Sequence, residues 1–383
     1  MKLLFVSNLF PDQHEPWRGL DNVTLLHALR QQEPGLDIRV LAFRPAPGWP
    51  GPASGLKPRP GDELLSPTYH KAAYIPRFGG LNHRLFAASL ARARRALDKD
   101  FQPDAILAPW LFPDACAVAA CFPGVPLVAV AQGSDVHQYL RLPMRRRAIL
   151  DLCRKARAVV TRSQDLRQRL VSAGADATRV QAVYNGVHTD VFRPASREAA
   201  RLELGLPGGV ERRLVLFVGN FLPVKGIDLL LKAFALVCED TQPATLALIG
   251  SGPLEASIKQ QAAELGIGQH LRFVGRQPPE TVARWMQAAN AVCLSSHNEG
   301  VPNVVLEAVS SGRPMVTTDV GGIAEIMEPL TSRRFLVPGR DPGAYAAALL
   351  DALRHPPDEQ ALHQKALQYS WENCARSYLA LLR

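Results

Sequence analysis

The stretch Ala291-Val292-Cys293-Leu294-Ser295-Ser296-His297-Asn298-Glu299-Gly300-Val301-Pro302-Asn303-Val304-Val305-Leu306-Glu307-Ala308 decides how the chain is read. Its first four residues are an uncharged run of strand length. Pro302 suits the first position of a helix, where a missing N–H costs nothing. Gly312, followed by Arg313-Pro314, ends that helix. The order is therefore strand, loop, helix, with Glu299 in the loop and Glu307 in the helix. Amides at Asn303 and Val304 would open toward an anion such as phosphate, while carboxylates beside them suit hydroxyls. That pairing fits a nucleotide-sugar, although Glu307 could equally be a solvated helix charge.

The same unit recurs outward in both directions. Strand-like runs fall at Lys2–Ser7, Asp37–Phe43, Ala105–Ala108, Leu127–Ala131, Ala158–Thr161 and Val180–Val183. A second series falls at Leu214–Val218, Leu246–Ile249, Leu271–Val274, Ala291–Leu294, Met315–Thr318 and Phe335–Val337. Helix-period segments lie between them. Uninterrupted apolar strands alternating with helices imply parallel sheets covered on both faces. Two series predict an α/β protein of two Rossmann-like, doubly wound domains facing a cleft. The joint is placed at Phe192-Arg193, giving domains 1–192 and 193–369, with a C-terminal helix of about 370–383 returning to the first. Ligands of such sheets bind beyond the carboxyl ends of the strands. The stretch from Arg44 to Gly80, with eight prolines and six glycines, reads as a long loop that is mobile or functional.

Composition narrows the class. The chain has 383 residues, 47% hydrophobic and 21% charged, which excludes a mainly disordered chain. No uncharged apolar run approaches the ~20 residues needed to cross a bilayer. The apolar run before Ser7 is too short for a signal peptide, so a cytoplasmic location is expected. Six scattered cysteines without a CxxC pair read as free thiols, with no metal site. The net charge of +9 is carried by residues 1–190, with 25 Lys and Arg against 16 Asp and Glu. The segment Arg141–Arg157 interleaves arginines with Leu142, Met144, Ile149, Leu150 and Leu152. It reads either as an interfacial helix for an anionic membrane surface on the cytoplasmic face or as a solvated helix face. Aromatics do not interleave with the basic runs as base-stacking platforms would, which argues against nucleic acid.

With these residues in view, Glu299 to Glu307 resembles the E-x7-E pattern of family 4 glycosyltransferases, retaining enzymes of the two-domain GT-B fold. Val218-Gly219-Asn220 through Lys225-Gly226 resembles their glycine-to-lysine loop. Asn185-Gly186-Val187-His188 through Pro194 resembles their interdomain element, and Gly250-Ser251-Gly252 their second glycine turn. Trp110-Leu111-Phe112-Pro113-Asp114 and Gln132-Gly133-Ser134-Asp135 look most like bacterial cell-surface polysaccharide transferases, including the teichuronic-acid type. The resemblance implies transfer from a nucleotide-diphosphate sugar to a hydroxyl of a glycan or lipid-linked acceptor, with neither cofactor nor metal.

It also implies roles. Glu307 would hold the donor's ribose and Glu299 the transferred sugar. Lys225 would neutralise the diphosphate beside Gly300, Val301, Pro302 and the amides of Asn303 and Val304. Gly219, Asn220, Gly250, Gly252 and Arg276 would line the rest of the donor site. Gln132 would serve the catalytic centre from the acceptor side, with Gly19, Arg18, Asp135 and His137.

The match has departures. Asn220 stands where many relatives carry arginine, so Lys225 bears more of the charge. Gln132 stands where many carry histidine, and it can hydrogen-bond but not take a proton. Trp17-Arg18-Gly19 replaces a glycine pair, and His188 replaces an aspartate. Two other readings remain open on sequence alone: a sugar-nucleotide epimerase, which needs no acceptor, and a non-catalytic nucleotide-sugar-binding protein of the same fold.

Overall fold

In a computed structural model of the chain, the described residues are 1–383 except 47–50, 54, 76–78, 96, 98–100, 207–211, 241–243 and 332. They form two compact units, one of Met1–Asn185 with Trp371–Arg383, the other of Gly186–Ser370.

The first unit is built on a sheet of eight strands: β1 (Lys2–Ser7), β2 (Asp37–Ala46), β3 (Gly51–Pro52), β4 (Pro67–Ala73), β5 (Ala105–Pro109), β6 (Leu127–Ala131), β7 (Ala158–Thr161) and β8 (Val180–Ala182). Their order is β3-β4-β2-β1-β5-β6-β7-β8, parallel except where β3 meets β4. Side chains alternate across a strand, so Leu4 and Val6 enter one apolar cluster while Leu3 and Phe5 enter another. Helix Leu20–Gln32 and the C-terminal helix Trp371–Leu382 supply the second cluster, with Leu26, Leu29, Tyr378 and Leu379. The chain's last helix is thus part of the first unit's core.

The second unit holds β9 (Arg213–Val218), β10 (Ala244–Ile249), β11 (Leu271–Gly275), β12 (Ala291–Leu294), β13 (Met315–Thr318) and β14 (Leu336–Val337). These pair in parallel in the order β11-β10-β9-β12-β13-β14. Each sheet contains one place where the winding reverses direction, between β1 and β5 in the first and between β9 and β12 in the second. In open α/β sheets ligands bind at such a reversal, beyond the strands' carboxyl ends.

Three local readings change. The proline-rich stretch is not wholly a loop, because β4 pairs with β2 along seven residues. Its prolines are compatible with a sheet because Pro67 is the strand's first residue and Pro52 lies on the edge strand. Tyr69 and Ala72 of β4 are buried. Secondly, helix Pro143–Lys155 turns Ile149, Leu152 and Cys153 into the core, leaving Leu142 and Met144 as its exposed apolar residues. Its apolar face is therefore covered by its own sheet. Thirdly, helix Asn303–Ser310 begins one residue later than read, with Pro302 extended just before it. Among the described residues no helix is long and apolar enough to cross a membrane.

Candidate functional site

In the second unit the loops after β9 and β12 meet where the winding reverses. The His297 N–H donates to the Val224 carbonyl at 2.8 Å, and the Ser295 hydroxyl to the Lys225 carbonyl at 3.1 Å. Arg340 ties the same place down by donating to the Ser295 carbonyl at 2.8 Å. On this framework Lys225 Nζ lies 2.5 Å from Glu299 Oε1, and both side chains are largely buried. The Ser296 hydroxyl donates to the same Oε1 at 2.6 Å. Charge-assisted contacts of this length are strong and well oriented.

Glycines let main chain approach this pair. Gly250 has φ +140°, and a Cβ there would lie 2.0 Å from the Gly219 carbonyl oxygen. The aliphatic end of Lys225 runs alongside Gly219, at 3.8 Å from where a Cβ would stand. Arg276 reaches the same turn by donating from Nε to the Ser251 hydroxyl at 2.6 Å. Gly252 closes against Phe221, and a side chain there would strike the Phe221 carbonyl at 2.5 Å. Beyond the pair, Gly322 N–H donates to the Gly300 carbonyl at 3.0 Å, which anchors the loop leading to Val301 and Pro302. Asn303 and Val304 then begin their helix, whose first amides have no intrahelical carbonyl. Glu307 sits half-buried one turn along. Asn220 is exposed at the loop's tip.

The structure thus brings together Gly219, Lys225, Gly250, Gly252, Arg276, Glu299 and Gly300, and places Asn303, Val304 and Glu307 on the next element. Ser296 and Arg340 belong to the same arrangement and were not singled out by sequence reasoning. Ser296 stands inside the quoted motif. Arg340 carries no local signal; it follows β14 and reaches Ser295 and Asp228 across the fold. Among the described residues no group of three or more His, Cys, Asp and Glu side chains could hold a metal ion.

In the first unit, Gly19 has φ +64° and packs against the Leu9 carbonyl, where a Cβ would lie at 2.2 Å. Arg18 donates from Nε to the Asn8 carbonyl at 2.9 Å and pairs with Glu15. Gln132 donates to the Asn22 side-chain oxygen at 3.2 Å. Asp135 is fully buried and accepts the N–H groups of Leu111, Gln132 and Gly133. It therefore pins the loops after β5 and β6 together. Burial pushes its carboxyl above the usual range. His137 is mostly buried, 3.9 Å from Asp165, and burial holds its imidazole below the ordinary value.

Residues 17–191 match Glycosyltransferase Family 4, and residues 206–369 match Glycosyl transferases group 1. The chain belongs to the family 4 glycosyltransferases. A D-inositol 3-phosphate glycosyltransferase of Mycolicibacterium paratuberculosis is 31% identical over 291 residues, 72% of this chain and 63% of the relative. The chain therefore spans less than two thirds of that curated relative. Among solved structures, Anabaena HepE in complex with UDP has a TM-score of 0.75 at 19% identity, covering 100% of this chain and 99% of its own. Sucrose-phosphate synthase from Thermosynechococcus elongatus has a TM-score of 0.76 at 20% identity, covering 100% and 98%. The fold of this family 4 glycosyltransferase is accordingly GT-B. The family-matched region 206–369 contains both Lys225 and Glu299.

Proposed function

We propose that this protein transfers a sugar, with retention and without a metal, from a nucleotide-diphosphate donor to a hydroxyl of a glycan or lipid-linked acceptor in cell-surface polysaccharide synthesis. The observation that carries the reading is the Lys225–Glu299 pair at the winding reversal between β9 and β12, flanked by close-packed glycine backbone. A cation and a carboxylate side by side have two destinations when a donor enters. The diphosphate takes Lys225, and the sugar's hydroxyls take Glu299, which Ser296 keeps aimed.

In the reaction the bond from the anomeric carbon to the diphosphate oxygen breaks, and its electron pair leaves with the diphosphate. The acceptor oxygen bonds to the anomeric carbon from the same face, and its proton passes to a phosphate oxygen. Negative charge grows on the leaving group, so Lys225 and the amides near Asn303 stabilise the transition state more than the ground state. Glu307 would hold the ribose. The UDP found with HepE fits a donor of this class.

For acceptors carried on lipid, contact with an anionic membrane surface on the cytoplasmic side would use Leu142 and Met144 with Arg146 and Arg147. Leu142 and Met144 are 45% and 57% exposed. Sedimentation with anionic vesicles at low salt tests that contact, and reversal of Arg146 and Arg147 to Glu should release the protein.

The central test is a thermal-shift screen of UDP-, GDP-, ADP- and dTDP-sugars. One donor class should stabilise the protein by mass action, and Lys225→Ala should erase the shift. An unchanged shift in that variant would overturn the donor site.

A further inference from the structure

The second place where the winding reverses, between β1 and β5 of the first unit, carries a cavity of its own of about 330 Å³. That volume lies at the lower end of small-molecule sites, which run from ~300 to ~1,000 Å³. Asn8 follows β1 and Trp110 follows β5, and Tyr74 follows β4, so the cavity opens at the carboxyl ends of these parallel strands. Phe86, Tyr139 and Asn82 complete the part used here.

Three observations mark it as a built site. First, Trp110 is held at φ +114°, one of two described non-glycine residues with positive φ. A bulky residue there stores of order 1–3 kcal/mol of strain, which persists only where its surroundings impose it. The restraint is visible: the Trp110 N–H donates to the Val130 carbonyl at 2.8 Å, and its carbonyl accepts from Ala115 at 3.0 Å.

Second, polar groups are fixed around the rings. Asn8 donates from Nδ2 to the buried Asp114 at 2.8 Å, so its own oxygen is left as an acceptor. Asn82 exchanges two hydrogen bonds with the Ile75 main chain, at 3.0 and 3.1 Å, and clamps the segment that carries Tyr74. The Trp110 indole N–H has no hydrogen-bond partner among the described residues.

Third, no charged side chain lines the cavity among the described residues. Arg145 lies on the Tyr139 ring at 4.3 Å but is not part of the lining.

Aromatic faces suit the C–H faces of a pyranose, and amide and indole groups suit its hydroxyls. The described part of the wall offers no charged group to a phosphate or carboxylate. We propose that this cavity is a subsite for an uncharged pyranose ring of the acceptor, stacked on Trp110 and Tyr74 and oriented by Asn8. The assignment rests on the glycosyltransferase reading.

Its test uses the full chain and a panel of methyl glycopyranosides (glucoside, galactoside, mannoside and N-acetylglucosaminide) against glucose 6-phosphate and myo-inositol phosphate. Saturation-transfer NMR and tryptophan fluorescence report binding. At least one neutral glycoside should bind, and Trp110→Ala should weaken it by about tenfold, equivalent to 1.4 kcal/mol. Tyr74→Ala, at a 41% exposed position that leaves folding intact, should weaken the same ligand. Donor-induced thermal shifts should stay unchanged in both variants. If no neutral glycoside binds while the donor shift persists, the subsite is wrong and the glycosyltransferase reading stands. Preference for the phosphorylated sugars, or equal binding in Tyr74→Ala, would also overturn it. Loss of every donor shift in the unsubstituted chain would instead remove the reading beneath it.

Discussion

Lys225 Nζ and Glu299 Oε1, 74 residues apart in the chain, meet at 2.5 Å in the second unit. Each holds the other in place, and in the proposed donor site a diphosphate would have to take the lysine from the carboxylate. The pair thus keeps a cation and an anion ordered in a largely buried place, where either alone would be costly to desolvate.

Glu299→Gln should separate binding from turnover. The neutral amide keeps a contact with Ser296 but releases Lys225, so affinity for UDP or another leaving nucleotide should hold or rise in calorimetry. Turnover with the intact nucleotide-sugar should fall, by roughly a hundredfold if Glu299 aligns the sugar in the transition state. Equal losses in both quantities would contradict this division of labour.

Gly250→Ala should be costly out of proportion to one methyl group. The position has φ +140°, and the added carbon would lie 2.0 Å from the Gly219 oxygen. Backbone must move, with an expected loss of about 2 kcal/mol or more, read as a lower urea midpoint and a weaker donor-induced shift. Gly268, before β11 in the same unit, whose nearest neighbour would be 4.0 Å from such a carbon, serves as the mild comparison.

Asp114 should give the first unit a pH-dependent stability. The carboxyl is fully buried beneath Asn8 and Ser7, and burial pushes it up to about 7 from the usual 3.8. Between those values the folded chain keeps a proton that the unfolded chain has released. Stability therefore falls as pH rises through this window, by an order of 4 kcal/mol at 1.36 kcal/mol per pKa unit. Urea midpoints of the unsubstituted chain and Asp114→Asn should diverge between pH 4.5 and 7.5, the substituted chain gaining relative stability at the upper end. Parallel profiles would refute the assignment.

Tyr378→Ala should unfold the first unit more readily although it lies five residues from the C-terminus. The ring is fully buried among Leu26, Leu29 and Leu379. Removing a buried aromatic of this size costs about 3–5 kcal/mol, and proteolysis should then attack residues of the first unit earlier than those of the second.

Much of this was legible locally. The largely apolar runs Lys2–Ser7, Leu127–Ala131, Ala158–Thr161, Ala291–Leu294 and Met315–Thr318 became strands with those limits, because a strand buried on both faces keeps charge out of its interior positions. β4 was missed because Pro67 and the surrounding glycines resemble loop chemistry, and its pairing with β2 is a non-local fact. In the Arg141–Arg157 segment the amphipathic pattern is real, but pattern alone does not say which apolar residues enter the core, as Ile149 and Leu152 do, and which stay outside it, as Leu142 and Met144 do.

Sequence by itself determined the alternation of strand and helix, the glycine turns and the chemical kind of residue in the loops after β9 and β12, since these depend on neighbours within a few positions. Tertiary structure alone decided that β9 lies beside β12 and β1 beside β5. Strand order follows from how whole layers pack, and it is this order that brings Lys225 to Glu299 and Asn8 to Trp110.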